Sequence, residues 1–151
     1  MKLGEFLKRA LNKDNSSETG KVSSHAKPKP EHLKIGQMGE DIAVKHFVKH
    51  GYRILDRNYR KKFGEIDIIA FKSGVVHFIE VKSVSHETQG LRPEENIHSN
   101  KMRRLENTIN SYISEKFGER EVDIQVDAAI VVVNQNTESR IEIIENILLG
   151  Q

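Results

Sequence analysis

The order of periodic segments predicts an α/β fold: one helix, three strands, a second helix and two further strands. Three observations carry this prediction. Two β-rich runs, Glu65 to Phe71 and Val75 to Lys82, are joined through Lys72-Ser73-Gly74, where glycine supplies the positive φ of a tight hairpin turn. Ahead of them Ile35, Met38, Ile42, Phe47 and Val48 recur at helical spacing as far as Gly51, a left-handed cap. Behind them Ile97, Leu105, Ile109, Tyr112 and Ile113 form one stripe of a helix from about Glu94 to Phe117, which Gly118 stops.

The remaining elements follow from composition. Tyr52 to Leu55 reads as a first strand, and Arg57 to Gly64 as a basic loop. A polar loop with Gly90 and Pro93 leads into the second helix. Asp127 to Val133 is a nearly continuous apolar run, as expected of a strand covered on both faces, and Ile141 to Ile144 adds an edge strand. No internal repeat is present.

A chain of 151 residues is one domain's worth and can bury a real core. Hydrophobic residues make up 36% and charged residues 30%, the balance of an ordinary globular protein. The net charge of +2 permits a nucleic-acid partner and argues against a strongly acidic binding surface. The absence of cysteine excludes disulfides, thiolate metal sites and cysteine nucleophiles.

Residues 1–31 read as a disordered, basic and polar extension, and residues 32–151 as the folded domain. From Asn12 to Glu31 the chain is dominated by Asn, Ser, Lys, Thr and Pro, with too little apolar surface to offset the entropy of ordering. Leu3, Phe6, Leu7 and Leu11 have helical spacing and read as a frayed leader rather than a membrane-touching helix. Glu5, Lys8 and Arg9 interrupt any secretory signal, and no apolar run approaches the roughly 20 residues a bilayer span needs. A cytoplasmic protein with no membrane partner is expected.

The hairpin carries the chemistry. If Ser73-Gly74 is the turn, Lys72 faces Val75, Asp67 stands opposite Glu80, and Glu65 stands opposite Lys82. Side chains alternate along a strand, so Glu65, Asp67, Glu80 and Lys82 project to one side, beyond core residues Ile69, Phe71, Val76 and Phe78. Directly opposed side chains have Cβ atoms about 5 Å apart, and like charges there destabilise a sheet. A divalent cation removes the conflict, because converging carboxylates are suitable oxygen ligands for Mg²⁺ or Mn²⁺. Lys82 can offset charge and direct its ammonium at water or a phosphate oxygen.

The first helix adds another acid. Glu40 shares a face with Val44 and Phe47, so it points inward or toward the rim, where a carboxylate needs a partner. The blander explanation, in which Glu65 pairs Lys82 while Asp67 and Glu80 cap a sheet edge, suits a lone Glu-x-Lys tripeptide better than the whole constellation.

With these motifs in place, the sequence resembles the restriction-endonuclease-like PD-(D/E)XK nuclease superfamily. More closely it resembles the YraN family of bacterial proteins, similar to archaeal Holliday-junction resolvases. The matching residues are Gly36-Gln-Met-Gly-Glu40, Gly51-Tyr52, Arg57-Asn58, Gly64-Glu-Ile-Asp-Ile-Ile-Ala70, Phe78-Ile-Glu-Val-Lys82, Lys101 and Asp127. The resemblance implies an αβββαβ core with a central mixed sheet flanked by helices. It implies that Asp67, Glu80 and Glu40 bind Mg²⁺ or Mn²⁺ and that Lys82 assists the attacking water. Relatives carry an arginine two residues after the lysine, where this chain has Val84, so one phosphate-binding charge is missing.

The expected activity is divalent-metal-dependent endonucleolytic hydrolysis of DNA phosphodiesters, with Asp67, Glu80, Lys82 and Glu40 catalytic. A preference for branched DNA, and a homodimer that would cut paired strands, rest on the family analogy. Arg57, Arg60, Lys61 and Lys62, just ahead of the acidic strand, and Lys101, four residues before core Leu105, are expected to contact phosphate. Arg103 and Arg104 read as outward surface charges. His46 and His50 have the spacing of a helical metal pair but lack a third ligand, and His77 falls on the face opposite the acids. The alternative reading is a non-catalytic nucleic-acid-binding or assembly module that keeps the fold.

Overall fold

The structure, a computed structural model, describes residues 28–85 and 99–147. The expected leader and most of the linker lie outside the described residues, as do the polar loop with Gly90 and Pro93 and the helical stretch from Glu94 that includes Ile97. The described elements are α1 (Glu31–Lys49), β1 (Arg53–Lys61), β2 (Gly64–Lys72), β3 (Val75–Ser85), α2 (Ser99–Phe117), β4 (Asp123–Val133) and β5 (Arg140–Ile144). The fold is α/β: among the described residues, two helices and one five-stranded sheet in the order β1-β2-β3-β4-β5. The first three strands are antiparallel, β4 runs parallel to β3, and β5 returns antiparallel, which makes the sheet mixed. A parallel neighbour requires a long crossover, and the connection through α2 supplies it.

Local chemistry sets the element ends. At Gly51 (φ 83°) the N–H of Tyr52 bonds the carbonyl of Phe47 at 3.0 Å and that of Gly51 bonds Val48 at 3.1 Å, a Schellman cap. The β2–β3 turn has both central residues at positive φ, Ser73 at 51° and Gly74 at 87°, the two-residue geometry whose twist matches the strands it joins.

Two helices cover different parts of the sheet. Ala43 and Phe47 of α1 pack with Ile68, Ala70, Ile79, Ala129, Val131 and Val133. On α2, Leu105, Ile109, Tyr112 and Phe117 are buried, and Tyr112 meets the rings of Phe78 at 5.7 Å and Tyr59 at 5.0 Å edge-on. Each such buried side chain contributes roughly 1.5–3 kcal/mol of transfer free energy.

Three expectations need correction. Arg57 to Gly64 is not a loop: β1 continues to Lys61, pairing Arg57 with Ile68, Tyr59 with Ile66 and Lys61 with Gly64, so only Lys62 and Phe63 turn. Its charges belong to an edge strand, where basic residues guard the exposed side. The inward stripe of α1 is Gly39, Ala43 and Phe47, whereas Met38 and Val48 are 39% and 54% exposed. The cause is the contact at Gly39, where a Cβ would stand 1.8 Å from the Ser83 Oγ; that approach fixes the rotation of the helix about its axis. On β4, Ala129, Val131 and Val133 are buried, but Ala128, Ile130 and Val132 are only half-buried among the described residues.

Among the described residues His77, Thr108 and Asp127 are the buried polar side chains, and Asp127 is the hub of a buried network. Asp127, 1% exposed, accepts the Nδ1–H of His77 at 2.8 Å, the Gln125 amide at 2.8 Å and the Asn146 N–H at 3.0 Å. A carboxylate partner requires that histidine tautomer. His77 is thereby a structural residue on the face opposite Glu80.

Candidate active site

The β2–β3 ladder runs from the Lys72/Val75 rung to the Ile68/Ile79 rung. The next expected rungs, Asp67 with Glu80 and Glu65 with Lys82, lie beyond its end, which corrects the directly opposed arrangement. The Asp67 carboxylate accepts the N–H of Val81 at 2.7 Å instead. Past this point β2 is paired with β1 through Ile66 and Glu65, and β3 with β4 through Glu80/Ala128 and Lys82/Ile130. The acids therefore gather where the hairpin ceases to be a hairpin.

Asp67 is half-buried, and its carboxyl is the one whose pKa the surroundings shift. Burial pushes its carboxyl up from an ordinary 3.8 to about 6; the Val81 N–H opposes this, and the carboxylates of Glu40, Glu80 and Glu65 add to it. Glu40 reaches the same region from α1, positioned by the Gly39–Ser83 contact one residue earlier. Its Oε2 accepts the Asn58 amide at 3.1 Å and lies 3.9 Å from the Arg57 guanidinium, which bonds Asp41 at 2.7 Å. Glu80 forms an ion pair with Lys101 at the start of α2. Lys82 is exposed and makes no ion pair or hydrogen bond with the described residues.

Of the residues singled out in the sequence, Glu40, Asp67, Glu80, Lys101 and Arg57 thus converge. Arg60 and Lys61 are engaged elsewhere, Arg60 with Glu65 at 2.8 Å and Lys61 with Glu115 of α2. Lys62 occupies the β1–β2 turn. Asn58 is not among the expected site residues, although the Arg57-Asn58 pair is among the residues that carry the resemblance; the structure holds it at positive φ (50°) against Glu40. Arg104 is exposed, as the sequence reading has it, and also lines an open groove of about 660 Å³ with Arg60, Lys61, Lys62 and Glu65. His46 and His50 stack at 4.1 Å, and the His50 Nδ1–H is taken by the His46 carbonyl at 2.7 Å.

The donor set fits a hard divalent cation in kind: three carboxylates, and no thiolate in the chain. Asp67 carries an excess of negative neighbours that such a cation would relieve. Among the described residues no three carboxylate or imidazole groups already surround a common point. Each acid is instead held by its own partner: Glu80 by Lys101, Glu40 by Asn58 and Asp67 by Val81.

Fold and site together define a small α/β domain with a carboxylate cluster and a lysine at the open end of a β-hairpin. The chain belongs to the uncharacterised protein family UPF0102, whose model matches residues 39–145 and so includes every member of the cluster. This is the YraN family that the motifs resemble. A UPF0102 protein of Campylobacter hominis is 43% identical over 116 residues, 77% of this chain and 95% of the relative. UPF0102 proteins of Alkaliphilus metalliredigens (38% over 112 residues, 74% and 95%) and Flavobacterium johnsoniae (37% over 109 residues, 72% and 88%) are also similar. No helix among the described residues is long and apolar enough to cross a membrane.

Proposed function

We propose that this protein is a divalent-metal-dependent endonuclease that hydrolyses DNA phosphodiester bonds at the Asp67, Glu80, Lys82 and Glu40 cluster. The observation that carries the reading is the half-buried Asp67 carboxyl, repelled by Glu40, Glu80 and Glu65 and adjoining the Glu80-x-Lys82 segment of β3 just past the end of the β2–β3 ladder. An arrangement that costs stability in this way suits a cation and a charged substrate better than it suits packing.

Asp67, Glu80 and Glu40 are the residues that would hold Mg²⁺ or Mn²⁺. A cation bound there supplies acidification of water and neutralisation of the charge that builds on phosphorus. Lys82, which no described residue engages, orients the attacking water or a non-bridging phosphate oxygen with its ammonium. Arg57, anchored on Asp41 at 2.7 Å, and Lys101, poised on Glu80, flank the cluster and contact the phosphates beside the scissile one. The Val81 N–H holds the Asp67 carboxylate in one orientation, which limits how far it must reorganise.

A second reading, a nucleic-acid-binding module that does not cut, is favoured by one observation. Lys101 already neutralises Glu80, as it would in a site that needs no metal. The two readings part in a cleavage assay with Mn²⁺ over linear duplex, four-way junction, flap, single strand and RNA, comparing wild type with Lys82→Ala. Cutting by wild type and none by the variant supports the nuclease and names its substrate. Salt-sensitive binding with no cutting by either protein supports the module.

A further inference from the structure

The groove between the β1–β2 turn and α2 is lined by four cations, Arg60, Lys61, Lys62 and Arg104, against one acid, Glu65. The cations differ in how they are used. Arg60 is paired with Glu65 and Lys61 with Glu115, whereas Lys62 and Arg104 make no ion pair with the described residues.

We propose that this groove is a phosphate seat for the substrate's sugar-phosphate backbone, held by Lys62 and Arg104, with Glu65 the internal anion that phosphate displaces from Arg60. The proposal rests on the phosphodiester reading of the acid cluster and adds where the strand lies beside it.

The groove is built rather than accidental. A Cβ on Gly64 would stand 2.8 Å from the Thr108 Oγ1 and 3.5 Å from the Arg104 carbonyl, so only glycine lets the turn seat directly against α2. Thr108 is fully buried, and its hydroxyl donates to that same carbonyl at 2.7 Å. The backbone of Arg104 is thereby fixed against the strand that follows Lys62. A planar guanidinium and a compact ammonium then border one opening, the two ways proteins hold phosphate. Phe63 adds a half-buried apolar wall for the sugar.

Glu65 joins the groove to the acid cluster. It lines the groove, and its carboxylate is near enough to Asp67 to act on it electrostatically. The Arg60–Glu65 pair is 71% and 52% exposed, and exposed pairs are weak, so an incoming phosphate exchanges for the carboxylate readily. The exchange brings Arg60 onto the backbone as a third cation beside Lys62 and Arg104 and turns an acid away from it.

The test measures binding in EDTA, where cleavage cannot intervene, by fluorescence anisotropy of a labelled DNA duplex and an RNA duplex of the same sequence. Lys62→Ala/Arg104→Ala should weaken duplex binding on the order of tenfold and lower the salt slope by about 1.8, the release from two phosphates. Glu65→Gln should tighten binding. The charge-matched control Lys45→Ala/Arg53→Ala, on exposed positions of α1 and β1, should keep the wild-type slope. Equal losses in the groove variant and the control overturn the proposal, as does looser binding by Glu65→Gln. Groove dependence without cutting in Mn²⁺ refutes the nuclease and keeps the groove; cutting with no groove dependence does the reverse. Equal groove dependence on RNA assigns the shared backbone, and dependence on DNA alone assigns DNA.

Discussion

The Asp67 carboxylate accepts the Val81 N–H at 2.7 Å, just beyond the Ile68/Ile79 rung that ends the ladder between their strands. The bond takes a backbone donor and leaves the acid oriented toward Glu40 and Glu80, with burial and their charges raising its pKa.

That rise is a stability statement. Below pH 3.8 Asp67 is protonated folded or unfolded; between 3.8 and about 6 the folded state keeps a proton that the unfolded state releases. Stability attributable to this group is therefore lost as pH climbs through that window, and about 3 kcal/mol is missing at neutral pH. Asp67→Asn should be more stable than wild type by on the order of 2–3 kcal/mol at pH 7 in chelator, and about equal near pH 3.5. Denaturant midpoints at the two pH values check this. A variant less stable than wild type at pH 7 would sink it. The same variant should lose cleavage.

Lys101 and a metal compete for Glu80. Their ion pair is partly exposed, 51% on the lysine side, so it is worth no more than about 1 kcal/mol. Lys101→Ala should tighten Mn²⁺ binding by up to about fivefold while weakening DNA binding, two changes of opposite sign. Calorimetric Mn²⁺ titration, or the rise of Tm with Mn²⁺, reads the first, and anisotropy the second.

Gly39→Ala tests the positioning of Glu40. Alanine inside a helix ordinarily gains about 1 kcal/mol over glycine. Here the new Cβ meets the Ser83 Oγ at 1.8 Å and its Cβ at 2.7 Å, so overpacking reverses the sign and the variant loses about 1–3 kcal/mol. Ser83→Ala in the same chain should recover part of that loss, measured as a coupling energy by chemical denaturation.

Asp127→Ala removes the acceptor shared by His77, Gln125 and the Asn146 N–H. Two of these donors are buried or half-buried side chains, and orphaning them costs about 3 kcal/mol or more. Urea unfolding of the variant reads the loss; a change below 1 kcal/mol would show that the network relaxes around the missing carboxylate.

Much of the fold was legible locally. The Ser73-Gly74 turn, the stop at Gly51 and the apolar run of β4 each depend on residues within a few positions, because turn geometry, capping and periodicity are short-range. The identities of Asp67, Glu80, Lys82 and Glu40 as a set followed from that hairpin. The length of β1 did not follow, because Arg57 to Lys61 is polar and becomes a strand only by pairing with β2.

The sequence by itself determined the order of elements, the hairpin turn and the acids and lysine carried near one end of it. Tertiary structure alone decided the rotation of α1, the early end of the β2–β3 ladder and the partner of each charge. Those depend on Gly39 meeting Ser83, Asp67 meeting Val81 and Glu80 meeting Lys101. Such contacts join residues 14 to 44 positions apart, as read from their numbers, and nothing in local periodicity encodes which close approach will form.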